Sequence, residues 1–126
     1  MTTTIRRAGR CVVALALVAT PMPLTQATTV SFEARITRTL SAAEGFGGCM
    51  AALDVSPSDS GLDCPVGGKW VTFSCTGDHT SKLDALRSFD SAQLAFVTGR
   101  RVRVWVDDTR KHNGHCFVSR IDVLSS

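Results

Sequence analysis

Four of the chain's five cysteines, Cys49, Cys64, Cys75 and Cys116, fall within 68 residues and limit this chain more than any other feature. An even number in a short domain reads as two disulfides, and disulfides persist only where the surroundings are oxidising. A zinc site needs closely paired ligands, but the spacings of 15, 11 and 41 hold no Cys-x-x-Cys. Four cysteines allow three pairings, among which sequence alone does not choose. The pairing expected here is Cys64–Cys75, which closes a short loop, with Cys49–Cys116 tying an early strand to a late one. Staples matter at this size, because about a hundred residues bury only a modest core and each bridge adds roughly 2–4 kcal/mol.

The N-terminus carries the matching address. Arg6, Arg7 and Arg10 precede a run of ten mostly apolar residues, Cys11 to Thr20 (CVVALALVAT). Pro21 and Pro23 break it, and Thr25-Gln26-Ala27 supplies small residues at a cleavage site. Charged start, short apolar centre and small-residue exit are the parts of a secretory signal, here residues 1–27. A membrane anchor would need roughly 20 apolar residues. Cys11 opens the apolar run instead of following it, which disfavours lipid attachment. The expectation is a secreted or periplasmic protein, cleaved near Ala27, with one domain over residues 28–126.

Cleavage also removes the charge surplus. The chain has 14 Lys+Arg and 11 Asp+Glu, and the three extra positives are Arg6, Arg7 and Arg10. The mature domain, with 11 of each sign, is formally neutral and lacks the basic excess of a nucleic-acid binder.

Val30 to Ile36 alternates, with Val30, Phe32, Ala34 and Ile36 on one side, and predicts a half-buried strand. Glu44 to Gly48 (EGFGG) is a glycine-rich turn, and Cys49 to Val55 a second strand. Ser56 to Gly68 is a loop, and Lys69 to Cys75 (KWVTFSC) a third strand. Thr80 or Ser81 caps a helix with Asp84 in its first turn, an apolar stripe of Leu83, Leu86, Phe89, Ala92, Phe96 and Val97, and Gly99 at its end. Arg101 to Asp107 alternates, placing Val102, Val104 and Val106 inward and Arg101, Arg103, Trp105 and Asp107 outward. Asn113-Gly114 turns into a last strand, His115 to Val123. A helix between strands three and four of a five-stranded antiparallel sheet is the order of an OB-like barrel, which removes exposed edges by closure. A sheet with one helix across a face is the alternative.

On these elements the chain resembles the OB-fold binding subunits of bacterial AB5 toxins, in the subtilase-cytotoxin and pertussis-like branch. Ser88 to Asp107 (SFDSAQLAFVTGRRVRVWVD) is similar to the segment where an alanine-containing helix of those subunits ends in Thr-Gly before an alternating strand. The likeness covers about half the mature chain as a pattern. It implies a five-membered ring of like subunits and recognition of cell-surface glycans, with no sugar-contact residue carried over.

Trp105, flanked by Arg103 and Asp107 and near Arg101, is the candidate ligand or subunit surface, since Trp and Arg are enriched at interfaces. Trp70 is expected to pack near the loop cysteines. The run Arg100, Arg101 and Arg103 suits an acidic partner, but equally guards a strand edge and complements the helix C-terminus. His112 and His115, near Asp107 and Asp108, lie in a polar turn without metal-ligand geometry, and His79 is distant in sequence. No nucleophile elbow accompanies the serines. The sequence thus predicts a non-catalytic binding module without cofactor or metal, for a glycan or a protein. The other two readings are an inhibitor or envelope accessory factor and, least favoured, a small hydrolase built on His112 or His115.

Overall fold

A computed structural model describes residues 29–125. The signal segment, Cys11 and the cleavage site at Ala27 lie outside the described residues. The elements are β1 (Thr29–Ser41), β2 (Cys49–Leu53), β3 (Trp70–Thr72), α1 (Lys82–Thr98), β4 (Arg101–His112) and β5 (His115–Val123), with a 3-10 turn at Pro57–Ser60. The strands close a barrel in the order β1-β2-β3-β5-β4, with β4 returning to β1. This is an OB-like barrel with its helix between β3 and β4. All neighbours are antiparallel except β3 and β5, which run parallel through Thr72 and Phe117. Among the described residues no helix is long and apolar enough to cross a membrane.

Alternation explains the core. Val102, Val104 and Val106 are fully buried with Leu53, Val71 and Phe73, while Arg101 and Arg103 face out and Trp105 is half-buried. Asp107 is buried instead of solvent-exposed as expected. The β4–β5 register shift between Trp105 and Val106 leaves its extra residue, Ser119, on β5, and β4 stays in register with β1. Asp107 therefore keeps the outer face with Phe117 and is buried there beneath Arg110. Its Oδ1 accepts from the Thr109 amide at 2.8 Å and the Thr109 hydroxyl at 2.6 Å, and its Oδ2 from Arg110 Nε at 2.8 Å. Burial pushes the carboxyl pKa up, but these donors outweigh it and hold the group below its usual range.

A second bulge matters more for the surface. The β1–β2 register shifts between Ile36 and Arg38. Up to Ile36 the even-numbered side chains of β1 point inward; beyond the bulge Arg38 and Leu40 sit on the outer face.

The disulfides are Cys49–Cys75 and Cys64–Cys116, with Cα–Cα separations of 5.6 and 5.8 Å. This corrects the expected pairing of Cys64 with Cys75 and Cys49 with Cys116. Met50 pairs with Thr72 across β2 and β3, so Cys49 lies beside the chain leaving β3, where the Phe73 amide donates to the Cys49 carbonyl. The 54–69 loop instead folds across to the β4–β5 hairpin, tied to β4 by Lys111 Nζ to Asp63 at 3.0 Å and by the Asp63 amide to Asp108 at 3.0 Å, which brings Cys64 to Cys116 of β5.

The helix begins at Ser81, whose hydroxyl accepts from the Asp84 amide at 3.1 Å, and ends at Gly99 with φ 66°. Its face differs from the expected stripe. Ala85, Phe89, Ala92 and Ala95 are buried, and Leu83, Leu86, Phe96 and Val97 are exposed. Three alanines let the helix backbone approach the barrel closely, and Phe89 alone fills the gap, 5.8 Å from Phe73. Strand β3 is shorter than the sequence suggests because Ser74 takes φ 61° and turns the chain out of the sheet.

Candidate ligand cleft and the predicted site residues

The outer face of β1, β4 and β5 carries three of the four residues singled out in the sequence. Glu33 bridges Arg101 at 2.9 Å and Arg103 at 2.7 Å, through its two carboxylate oxygens. The Arg120 guanidinium lies 4.3 Å from the Trp105 ring centre and is itself held by both oxygens of Asp122, at 3.0 and 2.9 Å. Arg101, Arg103 and Trp105 therefore share one face in a laced charge network, while Asp107, farther along β4, is buried beneath the partly exposed Arg110.

A different place is concave and aromatic. Leu40 from β1, Phe46 from the β1–β2 loop, Met50 from β2, Trp70 from β3 and His115 from β5 line a cleft of about 280 Å³. The bulge in β1 supplies Leu40 to it and sets Arg38 over Trp70, 5.4 Å from the ring centre. Trp70 is thus a half-buried outer-face residue, not one packed against the loop cysteines as expected. Phe46 has φ 53° and stands 6.0 Å from His115, ring centre to ring centre. Its amide donates to Asn113 Oδ1 at 3.0 Å, and its carbonyl accepts from Thr72 Oγ1 at 2.9 Å, so the β1–β2 and β4–β5 turns are locked together. Gly47 makes this possible: with φ 74°, a Cβ there would lie 2.6 Å from both His112 Cδ2 and Thr72 Oγ1. The Nδ1 atom of His115 is buried and has no hydrogen-bond partner among the described residues.

Behind the cleft lies a histidine cluster that the linear spacing concealed. The Ser74 hydroxyl is 2.9 Å from His112 Nε2 and accepts from the His79 amide at 3.1 Å. The rings of His79 and His112 are 4.5 Å apart, and His79 packs on Phe117 at 5.6 Å. This differs from the solvated turn expected for His112. A serine, a histidine and Asp78 meet here, but not as a catalytic triad. Asp78 Oδ2 approaches the same Nε2 that faces the serine, at 3.7 Å, whereas a triad acid holds Nδ1. Ser74 is also fully buried, leaving no path for a substrate carbonyl. Among the described residues no group of three or more metal-ligating side chains is gathered.

Burial, and then the neighbouring His79, lower the pKa of His112 below its ordinary 6.5, against the opposing pull of Asp78. Between that lowered value and 6.5 the unfolded chain binds a proton that the folded one does not. The stabilisation is complete above about pH 6.5 and is lost as pH falls through this window. Urea unfolding at pH 7.5 and pH 5 is expected to show lower stability at pH 5, with a smaller drop in His112→Gln. An identical drop in the variant would contradict this role.

The chain matches no protein-family model, no curated protein and no solved structure.

Proposed function

We propose that the domain is a secreted or periplasmic, non-catalytic binding module that recognises a saccharide in the cleft of Trp70, Phe46, Met50, Leu40 and His115. The observation that carries this reading is position. OB barrels bind oligosaccharides and oligonucleotides on the strand 2–3 face, between the β1–β2 and β4–β5 loops. Here those loops are joined by the bond from Phe46 to Asn113, and Phe46 of the first loop lines one cleft with Trp70 of β3. Aromatic surfaces with a few convergent polar groups suit the apolar face of a sugar ring. The balanced charge of the domain favours a saccharide over a nucleic acid, and two disulfides fit an oxidising destination.

The likeness to toxin binding subunits supports assembly of like subunits, up to a ring of five. Leu83, Leu86, Leu94 and Val97 form an exposed apolar stripe on α1, away from the barrel, and are the proposed subunit contact. Trp105 with Arg101 and Arg103 supplies a second contact surface. A glycan array, run with a molar-mass measurement in solution, tests this. The expected result is an oligomer that binds a defined saccharide, with about tenfold weaker binding in Trp70→Ala. A monomer that binds no saccharide would overturn it. A protein copurifying with such a monomer would favour the inhibitor or accessory-factor reading, in which the apolar cleft takes a partner's side chain.

A further inference from the structure

Beside the middle of β1, where α1 ends and β4 begins, the helix C-terminus opens into a hollow of about 790 Å³ lined by Arg35, Arg100 and Arg101 with Thr98, Gly99 and Ser125. Helix-end electrostatics explains only one of these arginines. Arg35 Nη1 donates to the Gly99 carbonyl and so answers the negative end of the helix. Arg101 shares the single carboxylate of Glu33 with Arg103. Arg100 is exposed, and its side chain has no hydrogen-bond or ion-pair partner among the described residues. The other carboxylate at hand, Asp54, accepts from the Arg35 backbone amide at 2.8 Å. Asp122, across from Arg103, is occupied by Arg120. Among the side chains of the described residues, three guanidiniums therefore line the hollow against Asp54 and a Glu33 shared with Arg103, a local excess of positive charge centred on Arg100.

We propose that this hollow binds one dianionic phosphate group, carried as a phosphomonoester. Guanidinium groups present paired donors that match phosphate oxygens, and the donor fork of Arg100 has no partner among the described residues, with Arg35 and Arg101 beside it. The arginines form one compact spot and not a track, which suits a single terminal phosphate and not a polyphosphate backbone. The hollow exceeds the volume of a bare phosphate, leaving room for the group that carries it. This site is separate from the aromatic cleft and does not depend on the saccharide reading.

Titration calorimetry with inorganic phosphate and with a hexose 6-phosphate, at matched ionic strength, tests the proposal. The expected result is saturable binding of both, tighter for the hexose phosphate, and weakened about tenfold in Arg100→Ala with unchanged circular dichroism. Amide shifts on binding should cluster at residues 98–101. Inorganic phosphate bound as tightly as the ester would assign the site to free phosphate and overturn the phosphomonoester form. No saturable binding would overturn the proposal, as would affinity unchanged by Arg100→Ala or a preference for duplex DNA or anionic vesicles.

Discussion

Replacing Cys64 and Cys116 together by alanine is expected to lower stability by about 4 kcal/mol. The bridge spans 52 residues, against 26 for Cys49–Cys75, and a longer loop leaves more freedom to the unfolded chain once it is cut. Most domains of this size are stable by only about 5–15 kcal/mol, so such a loss approaches the whole margin. In the folded state the same bridge holds the 54–69 loop against β5, where Leu62 and Pro57 are buried. Urea unfolding of the double variant measures the effect. A loss below about 1 kcal/mol would mean that the loop is fixed by Lys111, Asp63 and Asp108 without its covalent tie. Peptide mapping without reduction should recover Cys49 with Cys75 and Cys64 with Cys116.

Phe89→Ala should cost about 3–5 kcal/mol, by removing a buried ring and leaving a cavity that the surroundings cannot fill. Phe89 is 4 % exposed and is the only large side chain among the four buried residues of α1. Its neighbours on the helix are alanines, which cannot extend into the space, and Phe73 opposite is fixed inside the barrel. For a domain of this size the melting temperature should fall by more than about 12 °C. Gln93→Ala, at an exposed position of the same helix outside the proposed subunit contact, should shift it by no more than about 2 °C. Equal shifts for the two variants would contradict the assigned helix face.

The two outcomes concern features that differ in how readable they were. The inward valines of β4, the extent of α1 and the strand-helix order follow from local periodicity and capping, which act over a few residues. The helix face differs from the periodic stripe because the close helix-barrel approach selects alanine, and the larger leucines are left outside. Asp107 is buried although its alternation is regular, because Arg110 folds back over it, a contact that strand periodicity does not record. The turn of β1 beyond Ile36 comes instead from a bulge. A bulge reverses the alternation of everything after it, and its position depends on the partner strand. The cleft was missed with it, since Leu40 joins Trp70 only through the β1 bulge. One signal was present: Phe46, a large apolar residue between glycines in a tight turn, where burial against the adjacent turn is its natural explanation. The disulfide pairing depends on how a long loop crosses the barrel, which no local pattern records. His79, 33 residues from His112, meets it for the same reason.

The claim on which the functional account stands is that ligand contacts the Trp70 ring. The chain has two tryptophans, so Trp105→Phe leaves Trp70 as the only indole. Titrating that variant with the saccharide selected on the array should change its fluorescence saturably, with the same dissociation constant that calorimetry gives for the unaltered protein. Full binding with unchanged Trp70 emission, together with undiminished affinity in Trp70→Ala, would place the ligand elsewhere.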